Sequence, residues 1–281
     1  MKEGIWVELN WLQSLLYGAV SGFSEFLPID AGSHRKLLLL MMGAEKSPIL
    51  EFTVHLACLL SLVLSCWPQL SKLQRERRLA MVPTRHRKRQ PDLRALKDMR
   101  FLRTALIPLL AGFFLVSQLQ GIQKLWHIAA LLVVNGVLLY IPPYFPSGNK
   151  DSQTVSGLDG LLVGMGGVLG VVPGISRITG LTTVGLLRGC DRSYILDMGL
   201  LLSIPALAIV CIFDVVSIFT VGAALSGGML LSCALALTAA FAAAYFGIMF
   251  IRFLAVKVGF SGFAYYSWGA ALFAFILFLT I

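Results

Sequence analysis

The sequence predicts an all-α polytopic membrane protein with inverted repeats and two re-entrant helix pairs, and three observations carry that prediction. Of 281 residues, 57% are hydrophobic and only 13% charged, with a mean hydropathy of +0.82. A soluble domain is roughly half apolar and about a quarter charged, so this chain lacks the charged surface to enclose its core in water. Apolar stretches near the ~20 residues that an α-helix needs to cross the hydrocarbon recur along the chain. Two further apolar segments, one in each half, are interrupted by Gly and Pro. Such corresponding breaks are the sequence pointer to an inverted repeat whose broken helices meet at a central site.

The first element in order is the broken segment Trp11–Leu40, interrupted by Gly18, Gly22, Pro28 and Gly32. The stretch 49–69 reads as an uninterrupted span, and 101–120 and 124–144 as two more. The linker Pro142–Gly157, with Pro143, Pro146, Gly148 and Asn149, divides a single membrane domain into repeat 1, about 1–141, and repeat 2, about 155–281. The second broken segment, Leu161–Leu187, carries Gly164, Gly166, Gly167 and Gly170, then Pro173, Gly174 and Gly180. Spans at 195–217, 220–251 and 261–281 complete the second half. Pro28 and Pro173 lie 145 residues apart, about half the chain. Irregular backbone at membrane depth is tolerated only where it is buried in protein or lines a polar cavity; two ordinary kinked helices are the competing reading. At the N-terminus Lys2 is followed by Glu3 and Glu8 with no clear cleavage site, so no cleavable signal peptide is expected.

The net charge of +9 is concentrated in one place. Lys72–Arg103 holds twelve Lys and Arg against Glu76, Asp92 and Asp98, and the rest of the chain sums to zero. A basic loop beside membrane spans belongs in the cytoplasm, where Arg85-His86-Arg87-Lys88-Arg89 can also attract anionic headgroups. No aromatic residues interleave with these charges, so a nucleic-acid partner is not expected. Cys58, Cys66, Cys190, Cys211 and Cys233 are odd in number, lack metal-ligand spacing and read as packing residues.

The chemistry sits at the breaks. Arg177 is the only charge in the 27 residues Leu161–Leu187, and Glu25, Asp30 and His34 flank Pro28. An ionisable group inside a span costs at least ~2.5 kcal/mol at the centre, which makes it a functional hypothesis by default. The alternative is a structural ion pair between Glu25 and Arg177. In Pro173-Gly174-Ile175-Ser176-Arg177 the chain restarts as a helix, offering free amides and a positive dipole end. Gly174 permits close backbone approach, Ser176 adds a hydroxyl and Arg177 a planar fork matched to phosphate, although a carboxylate fits the same donors. Glu25 is a candidate general base or ligand for a hard divalent cation. His34 is a candidate acid, base or nucleophile, with a hydrogen-bonded structural histidine as the alternative. His55 and His127 read as interior or interfacial polar residues, and His86 belongs to the basic segment.

These motifs resemble the undecaprenyl-diphosphate phosphatase family, polytopic enzymes that recycle the polyprenyl carrier lipid of bacterial envelope (peptidoglycan) synthesis. The family's Glu-Phe-Leu-Pro-Ile-Ser-Ser-Thr-Gly-His reads here Glu25-Phe26-Leu27-Pro28-Ile29-Asp30-Ala31-Gly32-Ser33-His34, and its Pro-Gly-x-Ser-Arg-Ser-Gly reads Pro173-Gly174-Ile175-Ser176-Arg177-Ile178-Thr179. Leu50-Glu51-Phe52-Thr53-Val54-His55-Leu56 is similar to the family's Phe-Glu-x-x-x-Gln-Leu, Asp191-Arg192 follows at the family's spacing, and Ser203-Ile204-Pro205-Ala206 is similar to its Ala-Ile-Pro-Ala. The likeness spans nearly the whole chain. It implies hydrolysis of a polyprenyl diphosphate lipid to the monophosphate, at a site opening to the outer face of the inner (plasma) membrane. Glu25, His34 and Arg177 would be catalytic; Gly174, Ser176, Arg177 and Ser33 would hold phosphate; Glu25 would ligate Mg²⁺ or Ca²⁺; and the protein would pair as a homodimer. Departures fall at Ser21, where the family has an acid, at Asp30 and Ala31, where it has serines, and at Gly167 and Ile178, where it has Gln and Ser. They remove a carboxylate, several hydroxyls and an amide. A transporter or flippase for a phosphorylated lipid, or a non-catalytic lipid binder, are therefore the rival readings.

Overall fold

The computed structural model describes residues 9–112, 114, 124–222 and 226–280. The described residues form α-helices joined by short turns, with no β-strand among them beyond an isolated bridge between Lys150 and Cys190. Helix α1 (Trp11–Glu25) opens on Asn10, whose side chain accepts from the Gln13 amide while the Gln13 side chain accepts from the Asn10 amide. Pro28 cannot continue a helix and biases Leu27 toward extended backbone. The chain restarts as α2 (Ala31–Met41) behind Asp30, whose carboxylate accepts from the Ser33 amide at 2.8 Å.

Helix α3 (Pro48–Met81) has 34 residues, or roughly 50 Å at about 1.5 Å per residue, well beyond the ~30 Å of hydrocarbon. Its last turns carry Lys72–Arg78 onward as helix. The basic segment expected as a loop over 72–103 is therefore mostly helical, because Lys, Arg and Leu are good helix formers and the hydrogen-bond ladder simply continues. Only 82–92 connects α3 to α4 (Leu93–Gly112), with a 3₁₀ turn at Thr84–His86. That connection folds back on the buried carboxylate of Glu76, which accepts from Arg89 at 3.0 and 2.5 Å and from the Asp92 amide at 2.9 Å. Hydrogen bonds from Lys72 and from the Arg94 amide hold the Asp92 carboxyl below its ordinary range. Of the expected span 101–120, α4 covers the part up to Gly112, while 113 and 115–120 lie outside the described residues.

The second half begins after α5 (Leu125–Tyr140), which Pro142 and Pro143 stop in a 3₁₀ turn. It contains α6 (Gly157–Val168), α7 (Arg177–Leu187), α8 (Arg192–Val221), α9 (Gly227–Lys257) and α10 (Gly262–Thr280). The span expected at 220–251 starts later, at Gly227 behind a Ser226 cap, because Gly222 at φ +67° ends α8 first. Residues 223–225 lie outside the described residues. Helices α3, α5, α8, α9 and α10 are long and apolar enough to cross a membrane, and they expose large apolar side chains such as Leu64, Phe219, Phe246 and Leu272. The chain is an all-helical, multi-pass membrane protein.

Close helix contacts set the positions of the breaks. A Cβ on Gly22 would lie 2.1 Å from the Ala240 carbonyl, so α1 and α9 pack backbone to backbone, as small residues allow in membranes. A Cβ on Gly180 would lie 2.0 Å from the Gly166 carbonyl, which pins α6 to α7 in the same way. At its far end α2 comes back beside the start of α1, since Leu39 shares a buried cluster with Leu9 and Tyr17. Likewise α7 comes back to the start of α6, where Arg188 donates to Asp159 at 2.8 Å. The main core between these pairs joins Phe26, Leu62, Phe101, Ile178, Leu200 and Ile248. Cys58, Cys66, Cys190 and Cys211 are buried and all five cysteines are free, in keeping with packing roles.

Candidate active site

The two breaks lie against each other. The Pro28 carbonyl, left without a helical donor by the break, accepts from Thr179 Oγ1 at 3.0 Å and from Asn135 Nδ2 at 3.1 Å. Asn135, fully buried on α5, also accepts from the Ser176 amide at 2.9 Å, and Ser176 Oγ donates to the Leu27 carbonyl at 3.1 Å. Asp30 completes the junction: its Oδ2 accepts from Ser33 Oγ at 2.5 Å and from the Gly174 amide at 2.9 Å. Gly174 is required twice over, by its φ of +102° and because a Cβ would meet Leu131 Cβ at 2.6 Å.

Glu25, the last residue of α1, and Arg177, the first of α7, meet on the wall of a cavity of about 360 Å³. Arg177 donates through Nη2 to Glu25 Oε1 at 3.1 Å and through Nε to Ser203 Oγ on α8 at 3.1 Å. The other oxygen, Glu25 Oε2, lies 3.3 Å from Arg35 Nη1. Arg35 Nη2 in turn donates to His55 Nε2 at 2.9 Å. A guanidinium only donates, so His55 carries its proton on Nδ1 and gives it to Asp214 Oδ2 at 2.6 Å. Glu51, one turn before His55 on α3, accepts from Tyr17 and pairs with Lys46 Nζ at 3.2 Å. Every buried charge here has an opposite charge beside it, as a low dielectric demands. The ion pair weighed against a ligand site is thus present, and both of its members also line the cavity.

Several expected site residues are placed differently. His34 turns away from Glu25: its Nδ1 donates to the Asp30 carbonyl at 2.6 Å, and its Nε2 accepts from Tyr266 at 2.9 Å while the rings stack. Successive helical residues point about 100° apart, so of Ser33, His34 and Arg35 only one can face Glu25, and it is Arg35. Ser33 hydrogen-bonds Asp30 and lines a neighbouring cavity of about 550 Å³. The break amides expected to cradle an anion are already used: Gly174 gives to Asp30, Ile175 to the Val172 carbonyl and Ser176 to Asn135. No side chain caps α7, so the amides of its first turn, Arg177–Thr179, have no side-chain acceptor. Asp30, a departure from the resembled serine, joins the breaks as an acceptor for Ser33 and Gly174. Among the departures from the resembled motifs, Ala31 and Gly167 line the cavity. Ile178 lies in the core, and buried Ser21 donates to its own helix at Tyr17.

The residues do not fit a divalent cation on Glu25. Both carboxylate oxygens face a guanidinium, and among the described residues there is no group of three or more His, Cys, Asp or Glu able to hold a metal. A hard cation needs several oxygen ligands. Sequence reasoning missed Arg35, Asn135 and Asp214 as members of the site, and gave Glu51, His55 and Ser203 no role there. A basic residue in the apolar α2 and a lone Asp near the end of an apolar span were the available signals.

The profile of the family described as bacitracin resistance protein BacA matches residues 14–273. An undecaprenyl-diphosphatase of Carboxydothermus hydrogenoformans is 29% identical, over 92% of this chain and 94% of its own length. Undecaprenyl-diphosphatases of Paenarthrobacter aurescens and Renibacterium salmoninarum are 25% and 29% identical, each over 70% of this chain and over 72% and 70% of their own lengths.

Proposed function

The chain belongs to the bacitracin resistance protein BacA family, and from that premise we propose that it is a membrane phosphatase hydrolysing undecaprenyl diphosphate to the monophosphate and inorganic phosphate. The observation that carries this reading is the Glu25–Arg177 pair on the wall of a cavity built where two helix breaks meet. Arg177 and the first-turn amides of α7 hold the terminal phosphoryl oxygens and stabilise the charge that develops on them. Water attacks the terminal phosphorus, the bridging P–O bond breaks toward the lipid monophosphate, and Glu25 takes the proton from the water. His34 and Ser33, tied to Tyr266 and Asp30, shape α2 in this reading and take no part in the bond-making step. No step runs through a metal ion.

The same reading takes α1–α2 and α6–α7 as re-entrant hairpins of an inverted repeat. Their helices of 15, 11, 12 and 11 residues are roughly 16–23 Å long, short of the ~30 Å hydrocarbon, and each pair returns to the side it came from. The α1–α2 pair starts at the same end as α3, whose Leu50 and Val54 cluster with Leu9, and the α6–α7 pair at the basic end. With the basic end in the cytoplasm of a plasma-membrane protein, the first hairpin enters from outside. Phosphate release from undecaprenyl diphosphate by purified protein, compared with Glu25→Gln and Arg177→Lys, tests the proposal. Release is expected from the natural sequence alone. Absence of release in the presence and absence of Mg²⁺, with headgroup movement across liposomes instead, would replace the phosphatase by a transporter.

A further inference from the structure

Arg35 has no part in the resembled motifs, yet among the described residues it is the only buried Lys or Arg. It is 7% exposed, and its three guanidinium nitrogens face three different acids or bases. Nη1 faces Glu25, Nη2 donates to His55, and Nε lies 3.5 Å from Glu51 Oε1. That last distance is an ion-pair distance without hydrogen-bond geometry, so the buried Nε–H has no acceptor. A buried donor left unpaired in a native interior calls for an explanation. Glu51 does not supply it, being already engaged by Tyr17 and Lys46.

Position supplies the explanation. Arg35 lines both the cavity of Glu25 and Arg177 and the neighbouring one of about 550 Å³, whose walls include Leu39, Leu40 and Ile128. The two spaces share Gly32, Arg35, Lys46, Glu51 and Pro173. The first holds two guanidiniums on a single carboxylate; the second sets Leu39, Leu40 and Ile128 beside Lys36, Glu45 and Lys46. A ligand with two phosphates and a hydrocarbon chain can set its terminal phosphate beside Arg177, its other phosphate at the shared Arg35 and the start of its chain against Leu39, Leu40 and Ile128. We propose that Arg35 is the second arm of a diphosphate clamp. Arg177 holds the terminal phosphate, Arg35 holds the phosphate that carries the prenyl chain, and Glu25 lies across the two guanidiniums until the substrate displaces it. Two guanidiniums meet phosphate oxygens with directed, charge-assisted hydrogen bonds that a single ammonium cannot reproduce. Displacement also leaves Glu25 beside the terminal phosphate with a free oxygen. This inference rests on the phosphatase reading above.

The test is equilibrium binding of undecaprenyl diphosphate and of undecaprenyl monophosphate to the full chain in nanodiscs, for the natural sequence, Arg177→Lys and Arg35→Lys. The monophosphate keeps only the chain-bearing phosphate. Arg177→Lys should therefore weaken the diphosphate about tenfold or more and leave the monophosphate within about twofold, whereas Arg35→Lys should weaken both by about tenfold. Should Arg35→Lys not fold, the pair Arg35→Gln with Glu51→Gln removes both charges of the buried pair together and serves the same comparison. Monophosphate binding unchanged in the folded Arg35 variant overturns the assignment, and so does an equal loss for both lipids in both variants, which marks Arg35 as a support of the ion-pair network. Failure of the natural sequence to bind either lipid refutes the phosphatase reading together with this one. Binding by the natural sequence without the asymmetric pattern refutes the Arg35 role alone.

Discussion

Glu25→Gln separates a catalytic carboxylate from a structural one, and the two readings differ in sign. The substitution keeps the size of the side chain and one carbonyl acceptor, but removes the charge that both Arg35 and Arg177 face at 3.3 and 3.1 Å. Breaking a buried ion pair outright costs about 3–5 kcal/mol. Here Arg35 keeps Glu51 and His55, Arg177 keeps Ser203, and the amide still accepts one hydrogen bond. A loss of about 1–3 kcal/mol of stability is therefore expected, which leaves a folded protein. Turnover should fall at least ~100-fold, the lower end of what a positioned general base contributes. Binding should move the other way. A substrate phosphate no longer has to displace a charged partner, and one charge-assisted hydrogen bond fewer, ~1.5 kcal/mol at the low end, corresponds to about tenfold tighter binding. Single-turnover phosphate release and equilibrium binding of undecaprenyl diphosphate in nanodiscs measure both quantities on one preparation. A folded variant that hydrolyses within about threefold of the natural rate shows that Glu25 is not the base. A folded variant that loses binding shows that the carboxylate serves only to hold the guanidiniums in place.

Asn135→Leu removes the hydrogen bonds to Pro28, Ser267 and Ser176 at up to about 1 kcal/mol each. Thermal unfolding in detergent should show a loss of about 2–3 kcal/mol, and an unchanged midpoint would mean that the breaks are held by packing alone. Ca²⁺ titration of the protein without lipid should reveal no tight site that Glu25→Gln abolishes, because both oxygens of Glu25 already face cations; a Glu25-dependent site would reverse the fit argument. His86→Cys, placed on the exposed 3₁₀ turn of the basic connection, should react with an impermeant maleimide only after cells are permeabilised, with Cys233 replaced to remove background. Labelling in intact cells would invert the orientation.

The composition and the span lengths were enough to establish a helical membrane protein, since too few charges and too many ~20-residue apolar runs leave no soluble alternative. The breaks were equally legible, because Pro28, Pro173 and their glycines act on the backbone locally, within a residue or two of themselves. Glu25 and Arg177 stood out for the same local reason: each is a charge beside a break in an apolar segment. What the sequence left open is everything that depends on direction or on partners distant along the chain. His34 and Arg35 are neighbours in sequence, and only the rotation of α2 against α1 and α10 sends one toward Tyr266 and the other toward Glu25. Local reasoning counted the amides around Gly174 as free donors, and they are consumed by Asp30 and Asn135, residues 144 and 41 positions away. Asp30 stood in the sequence only as a charge in place of a serine until the fold set it against the opposite break, where it accepts from Ser33 and Gly174. The physical reason is common to all three cases: a side chain's chemistry is written in its residue type, but its hydrogen-bonding capacity is a shared resource that only the tertiary arrangement allots.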